Sequence, residues 1–174
     1  MLEYAKEILP NFDSDISKRL KQVLSKRGIE FYNQAAVESI ERSGAQLLVH
    51  YTHKGKEGST EAEIVLIAVG RSPRVESIGL DNAGIRYSPK GIETDDTLRT
   101  NIPGIYAIGD VNGHCMLAHA ASFQGRKVID HILGIDNRIK LDIIPAAVFT
   151  RPEAGMVGPV SYTHLRAHET RGNL

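Results

Sequence analysis

Three things are scarce in this chain, and each scarcity closes off a class of function. Cysteine occurs once, at Cys115, so no internal disulfide and no cysteine-based metal cluster can form. A reducing, cytoplasmic setting is the expectation. Neither sign of charge is in excess: 21 Lys and Arg stand against 21 Asp and Glu. That balance argues against a nucleic-acid partner and against an anionic membrane surface. No apolar run approaches the roughly 20 residues of a membrane helix. The opening Met1-Leu2-Glu3-Tyr4-Ala5-Lys6 lacks the apolar core of a signal peptide, and no internal repeat or low-complexity tract interrupts the sequence. What is present is 174 residues, 41% of them hydrophobic, enough for one ordinary domain or for parts of two.

The patterning alternates between helix and strand. Ile16, Leu20, Val23 and Leu24 form the single apolar stripe of a helix over 13–26. Asp13 or Ser14 can cap its start and Gly28 can close its end. A short strand is expected over 29–32, and Leu2-Glu3-Tyr4 suits the last residues of another. Residues 37–41 and 46–52 alternate apolar and polar around Ser43-Gly44, a hairpin signal, whereas the polar 53–60 reads as a turn. Ile64-Val65-Leu66-Ile67-Ala68-Val69 is apolar throughout, which predicts a strand buried on both faces. Residues 70–103, rich in Gly, Pro, Asp and Asn, read as an extended connection between domains with short strands. A strand over 105–108 ends at Gly109-Asp110. A second helix spans 118–133, with Ala118, Ala121, Gly125, Val128, Ile129 and Ile132 on one face and Gly134 as its stop. A further strand is expected over 143–149.

Chemistry concentrates at the end of the 105–108 strand. In open α/β sheets, ligands bind beyond the carboxyl ends of strands. A glycine there lets the chain turn sharply, and the Asp110 carboxylate can accept hydrogen bonds from sugar-like hydroxyls. A strand-end Gly-Asp also serves as a plain turn. Met116-Leu117-Ala118-His119 then opens a helix, whose free N–H groups and positive dipole end suit an electron-rich ligand edge. The alanines equally suit close helix–strand packing. Asp13 and Asp15 are explained by capping, and Arg71 by an exposed loop.

These segments, taken in order, carry a resemblance. Residues 97–110, ending Ile105-Tyr106-Ala107-Ile108-Gly109-Asp110, resemble the second flavin-binding motif of the pyridine-nucleotide disulfide oxidoreductases. Met116-Leu117-Ala118-His119 is similar to the flavin-contacting segment of dihydrolipoamide dehydrogenases. Ala68-Val69-Gly70-Arg71-Ser72-Pro73 resembles that family's Val-Gly-Arg-x-Pro, and 145–153 resembles the entry to its dimerisation domain. The resemblance covers about residues 2–158. It implies an α/β, FAD/NAD(P)-binding two-dinucleotide-fold architecture, present in part, with the first strand of an α+β dimerisation domain. Residues 1–72 would be the C-terminal part of the NAD-binding domain, 73–144 that of the FAD-binding domain, and 145–159 the start of the dimerisation domain.

The resemblance also implies roles. Asp110 would bond a ribityl hydroxyl of FAD. Met116, Leu117, Ala118 and His119 would lie along the isoalloxazine. Glu3 would hold the adenosine ribose of NAD and repel a 2′-phosphate. Val37 would pack against adenine, and Gly70 would let backbone approach NAD. Where many relatives carry Glu-Gly inside the second helix, this chain has Gln124-Gly125. The implied activity is dihydrolipoyl dehydrogenase: hydride equivalents pass from dihydrolipoamide to NAD through a cysteine pair and FAD. The implied partners are a second copy in a homodimer and the lipoyl domain of a 2-oxo acid dehydrogenase or glycine cleavage complex, with no nucleic acid and no membrane. The alternatives are another acceptor on the same scaffold, of the glutathione or mercuric reductase type, or a non-catalytic nucleotide-binding module.

Catalytic residues are expected to be missing from the segment. It holds neither Gly-x-Gly-x-x-Gly turn, nor a redox cysteine pair, nor the family's C-terminal catalytic His and Glu. The segment by itself is therefore expected to be inactive. Residues 160–174 show no periodicity and read like one translation frame of a transposase sequencing adapter. They are expected to be a non-native tail and are excluded from fold reasoning.

Overall fold

A computed structural model describes residues 1–136 and 138–158; the expected tail, 160–174, lies outside the described residues. The chain divides into two compact units: Met1–Ala68 together with the described residues from Ala147 on, and Val69–Ala146.

The first unit begins with a parallel strand pair, β1 (Leu2–Glu3) and β2 (Tyr32–Asn33), in the register Leu2↔Tyr32 and Glu3↔Asn33. Parallel neighbours need a crossover, and α1 (Ser14–Lys26) lies within it. Asp13 caps α1 by accepting from Asp15 N at 3.0 Å, and Gly28, at φ +91°, turns the chain out of the helix. Of the expected stripe, Leu20 is buried and Ile16, Val23 and Leu24 are half-buried. Burying Leu20 contributes about 2 kcal/mol. It belongs to a small set of buried side chains with Ile8, Phe12, Ala35 and Val49.

An antiparallel meander follows: β3 (Ala35–Ser43), β4 (Gln46–His53) and β5 (Lys56–Ala62). The first turn falls at Gly44, as the sequence suggested. The second corrects the reading of 53–60 as a turn. Only Lys54 and Gly55 turn, both at positive φ, the two-residue connection that matches strand twist. The polar residues after them form β5, paired with β4 through Val49↔Thr60 and Tyr51↔Gly58. Such an edge strand has no apolar alternation to announce it; its ladder with β4 makes it a strand.

Residues 64–69 require the opposite correction. They form no strand and pair with none among the described residues, and Ile64, Leu66 and Val69 are 85%, 88% and 94% exposed. An apolar run becomes a buried strand only when other elements cover it, and none of the described residues does so.

The second unit has little regular strand. Its core is Val75, Leu80, Ile92 and Ala107, with Ile85, Tyr87 and Val111 packed against it. The short hairpin of β6 (Tyr87–Ser88) and β7 (Gly91–Ile92) agrees with the expected short strands. The 105–108 strand is reduced to one antiparallel bridge, Arg99↔Tyr106, flanked by Thr100 N→Ile105 O and Ala107 N→Leu98 O. Asp95 organises that bridge from outside: one carboxylate oxygen accepts from Thr97 N, Thr97 Oγ1 and Arg99 N. The Thr97 hydroxyl bond foremost holds its pKa below the usual carboxylate range.

Helix α2 (Ala118–Ile132) ends within one residue of expectation, with Gly134 beyond it at φ +68°. Its buried positions differ from those expected. Ala120, Gln124, Val128 and Asp130 are buried, whereas Ala118, Ile129 and Ile132 are exposed. Of the expected face only Val128 is fully buried. A glutamine was not counted as a core residue, and it enters because its amide has partners there. Of the strand expected over 143–149, only β8 (Ala146–Val148) forms, pairing with β9 (Ala154–Met156).

Candidate functional site

Asp110 sits in a one-turn 3-10 segment, Gly109–Asn112. Ile108 arrives extended, Gly109 takes φ +75°, and Gly113 leaves at φ +69° with its N–H donated to Asp110 O at 3.1 Å. Left-handed φ at both ends explains why glycine stands at each. The Asp110 carboxylate is exposed, and no donor among the described residues engages it.

Buried amides hold the turn from behind. Gln124, 2% exposed, accepts through Oε1 from Gly109 N at 2.6 Å and from Asn112 Nδ2 at 3.0 Å. Asn112, 3% exposed, donates from the same nitrogen to Ala107 O at 3.0 Å and accepts from His114 N at 3.0 Å. The two hydrogens of Asn112 Nδ2 thus meet two acceptors. On the far side the backbones of β7 and the turn touch. A Cβ on Gly91 would lie 2.5 Å from Asn112 C, and one on Gly113 would collide with Lys90 O. Gln124, Asn112, Gly91 and Gly113 were not singled out for this role from the sequence. A signal for Gln124 was available: one polar residue at helical spacing between Ala120 and Val128.

The other expected flavin residues lie just downstream in the same unit. Met116 and Leu117 are half-buried, and Ala118 and His119 are exposed at the start of α2. Leu117 is the N-cap and provides no side-chain cap bond. His119 Nε2 donates to Pro145 O at 2.6 Å. That bond ties the ring to the segment before β8. An open cleft of about 660 Å³ runs along α2 past His119, Phe123 and Ile135. It does not include Asp110, and its shallow, open form makes it a surface groove rather than the turn's ligand site.

The expected NAD residues are placed as follows. Glu3 ends β1, half-buried, and its Oε1 accepts from Ala5 N at 2.8 Å. Val37 lies on β3 opposite Tyr51, beside a bulge, and is 48% exposed. Gly70 belongs to the second unit, exposed at φ +111° with open space around it. Cys115 is half-buried and is a free thiol. No helix among the described residues is long and apolar enough to cross a membrane.

Residues 1–125 match the family described as pyridine nucleotide-disulphide oxidoreductase. The dihydrolipoyl dehydrogenase of Bacillus subtilis is 39% identical over 171 residues, covering 97% of this chain and 36% of the relative. That of Mycobacterium tuberculosis is 39% identical over 161 residues, covering 91% and 35%. Among solved structures, LpdA from Mycobacterium tuberculosis superposes with a TM-score of 0.83 at 32% identity, over 93% of this chain and 35% of that one. The HOCl-induced flavoprotein disulfide reductase RclA from Escherichia coli follows with a TM-score of 0.80 at 29% identity, over 96% and 38%. The chain thus spans a little over a third of the length of the curated relatives it matches.

Proposed function

The chain belongs to the pyridine nucleotide-disulphide oxidoreductase family, and on that premise we propose that it is a segment of a dihydrolipoyl dehydrogenase. The enzyme takes two electrons and two protons from the paired thiols of dihydrolipoamide, passes a hydride to NAD⁺, and releases a proton. FAD, when bound, relays the electrons between the thiol side and the nicotinamide side. Residues 1–72 are assigned to the NAD-binding domain, 73–144 to the FAD-binding domain and 145–159 to the start of the dimerisation domain.

The carrying observation is the Asp110 turn: an exposed carboxylate that no donor among the described residues engages, on a glycine-flanked bend held by buried amides. That fits a ribityl chain, whose hydroxyls donate to a carboxylate and need close backbone approach. Met116, Leu117, Ala118 and His119 line the isoalloxazine, and the α2 N-terminus directs its free N–H groups toward the ring edge. In the first unit, Glu3 holds an adenosine ribose and disfavours NADP, and Val37 packs on adenine. Gly70 carries its NAD assignment on the Val-Gly-Arg-x-Pro resemblance alone.

The whole enzyme is a cytoplasmic homodimer serving the lipoyl domain of a 2-oxo acid dehydrogenase or glycine cleavage complex. The 174-residue segment, with one thiol, turns over no dithiol, because disulfide exchange needs two. The likeness to a flavoprotein disulfide reductase supports a second reading, the same scaffold with another acceptor, and assay of NADH-linked lipoamide turnover separates the two.

The test is Asp110→Ala in the intact flavoenzyme encoded by the gene that contains this segment. The expected product is folded, with FAD affinity down by about tenfold or more, the scale of a lost charge-assisted hydrogen bond. A yellow product with unchanged FAD affinity ends the reading.

A further inference from the structure

We propose that Gln124 is a positioning residue for flavin binding, one oxygen on α2 fixing both flanks of the Asp110 turn. This rests on the reading of Asp110 as the ribityl ligand. Gln124 Oε1 receives the N–H of Gly109, the residue immediately before Asp110, and an amide hydrogen of Asn112, two residues after it. The residues on either side of the carboxylate are therefore tied to one buried atom, while the carboxylate itself stays exposed and unengaged among the described residues. A ligand group held this way loses little freedom when a partner docks, so binding energy is not spent on ordering it.

The backbone contact between β7 and the turn closes the remaining direction of movement. Gly91 and Gly113 leave no room for a side chain there. The turn is thus confined by α2 on one side and by β7 on the other. The post calls for one acceptor facing two donors, and Gln124 Oε1 supplies it. The remaining short connection, Ala107 O to Asn112 Nδ2, carries the restraint back to a buried residue of the hydrophobic core.

A merely structural glutamine would affect flavin only through global stability, and the experiment separates the two roles. Four variants of the intact flavoenzyme are compared for FAD affinity by flavin fluorescence, for the flavin absorption spectrum and for melting temperature. Gln124→Met keeps volume and removes the acceptor; Gln124→Glu keeps an acceptor. Val128→Ala weakens the same buried face of α2 without touching the turn, and Asp110→Ala reports on the ribityl reading itself. The expected result is that Gln124→Met loses about tenfold in FAD affinity, as for one unmade buried hydrogen bond, with a shifted flavin spectrum. Val128→Ala, at similar loss of melting temperature, keeps its affinity, and Gln124→Glu restores most of the Met loss.

The proposal is overturned if Gln124→Met loses no more affinity than Val128→Ala while Asp110→Ala loses flavin. If Asp110→Ala itself keeps flavin, the ribityl reading fails and takes this inference with it. Should Gln124→Met not fold, hydrogen exchange of the wild-type protein decides. Slow exchange at the Gly109 amide supports the restraint, and exchange at the rate of an open loop amide overturns it.

Discussion

The β3–β5 meander and the Asp110 turn are built on opposite principles. The meander is held by backbone ladders repeated along three strands, so each position contributes a little and most side chains are free to vary. Val49 is the one buried side chain of β4, and β5 has none. The turn has no ladder. Two buried carboxamides and two glycines hold it, and each makes a contact that no other group among the described residues duplicates. A regular element tolerates change because its restraint is distributed. An irregular one concentrates its restraint, which is how a carboxylate can be kept both exposed and fixed.

The largest expected effect tests that concentration directly. In the intact protein, Gly113→Ala forces a Cβ against Lys90 O at positive φ. It should cost about 3 kcal/mol or more in chemical denaturation. Gly44→Ala, also at positive φ but with nothing within reach of its Cβ, should cost about 1 kcal/mol, the backbone penalty alone. Equal losses would break the comparison.

Next comes Leu20→Ala, which empties a buried position of α1 and should cost about 3 kcal/mol. Hydrogen exchange should show weakened protection of α1 with FAD affinity unchanged. A loss of flavin comparable to that in Asp110→Ala would show that the two regions are not separable.

The smallest effect is a pH dependence. Asp95 has a depressed folded pKa, chiefly through the Thr97 hydroxyl. Its contribution is therefore present above the ordinary carboxylate pKa of 3.8 and is lost as pH falls through the lower folded value. Asp95 is half-exposed, so solvent screening keeps the effect modest. Asp95→Asn should flatten the acid limb of the stability profile; an unchanged limb would remove Asp95 from the account.

Legibility in the sequence followed the same division. Helix α1 was readable because its apolar spacing, its Asp13 cap and its terminal glycine all gave one answer, and local signals that agree leave little for tertiary contacts to decide. Strand β5 was not readable. Lys-Glu-Gly-Ser-Thr-Glu-Ala has no preferred face, and only pairing with β4 makes it a strand. Residues 64–69 misled in the other direction, since their composition describes a covered strand and the described residues provide no cover. At the candidate site, Asp110 and 116–119 were readable as an ordered motif. The role of Asn112 was not, and for Gln124 only its helical spacing between Ala120 and Val128 was visible, because the partners that hold each amide lie in another part of the chain.

By itself, the sequence determined the helix limits, the first hairpin and the family to which the motifs belong. Each of these rests on residues close together along the chain: caps, alternation, glycines at forced dihedrals. Tertiary structure alone decided which polar groups are buried, which apolar ones are left bare, and how the Asp110 turn is held. Burial and hydrogen-bond satisfaction depend on what another segment brings within about 3 Å, and the order of residues does not specify that distance.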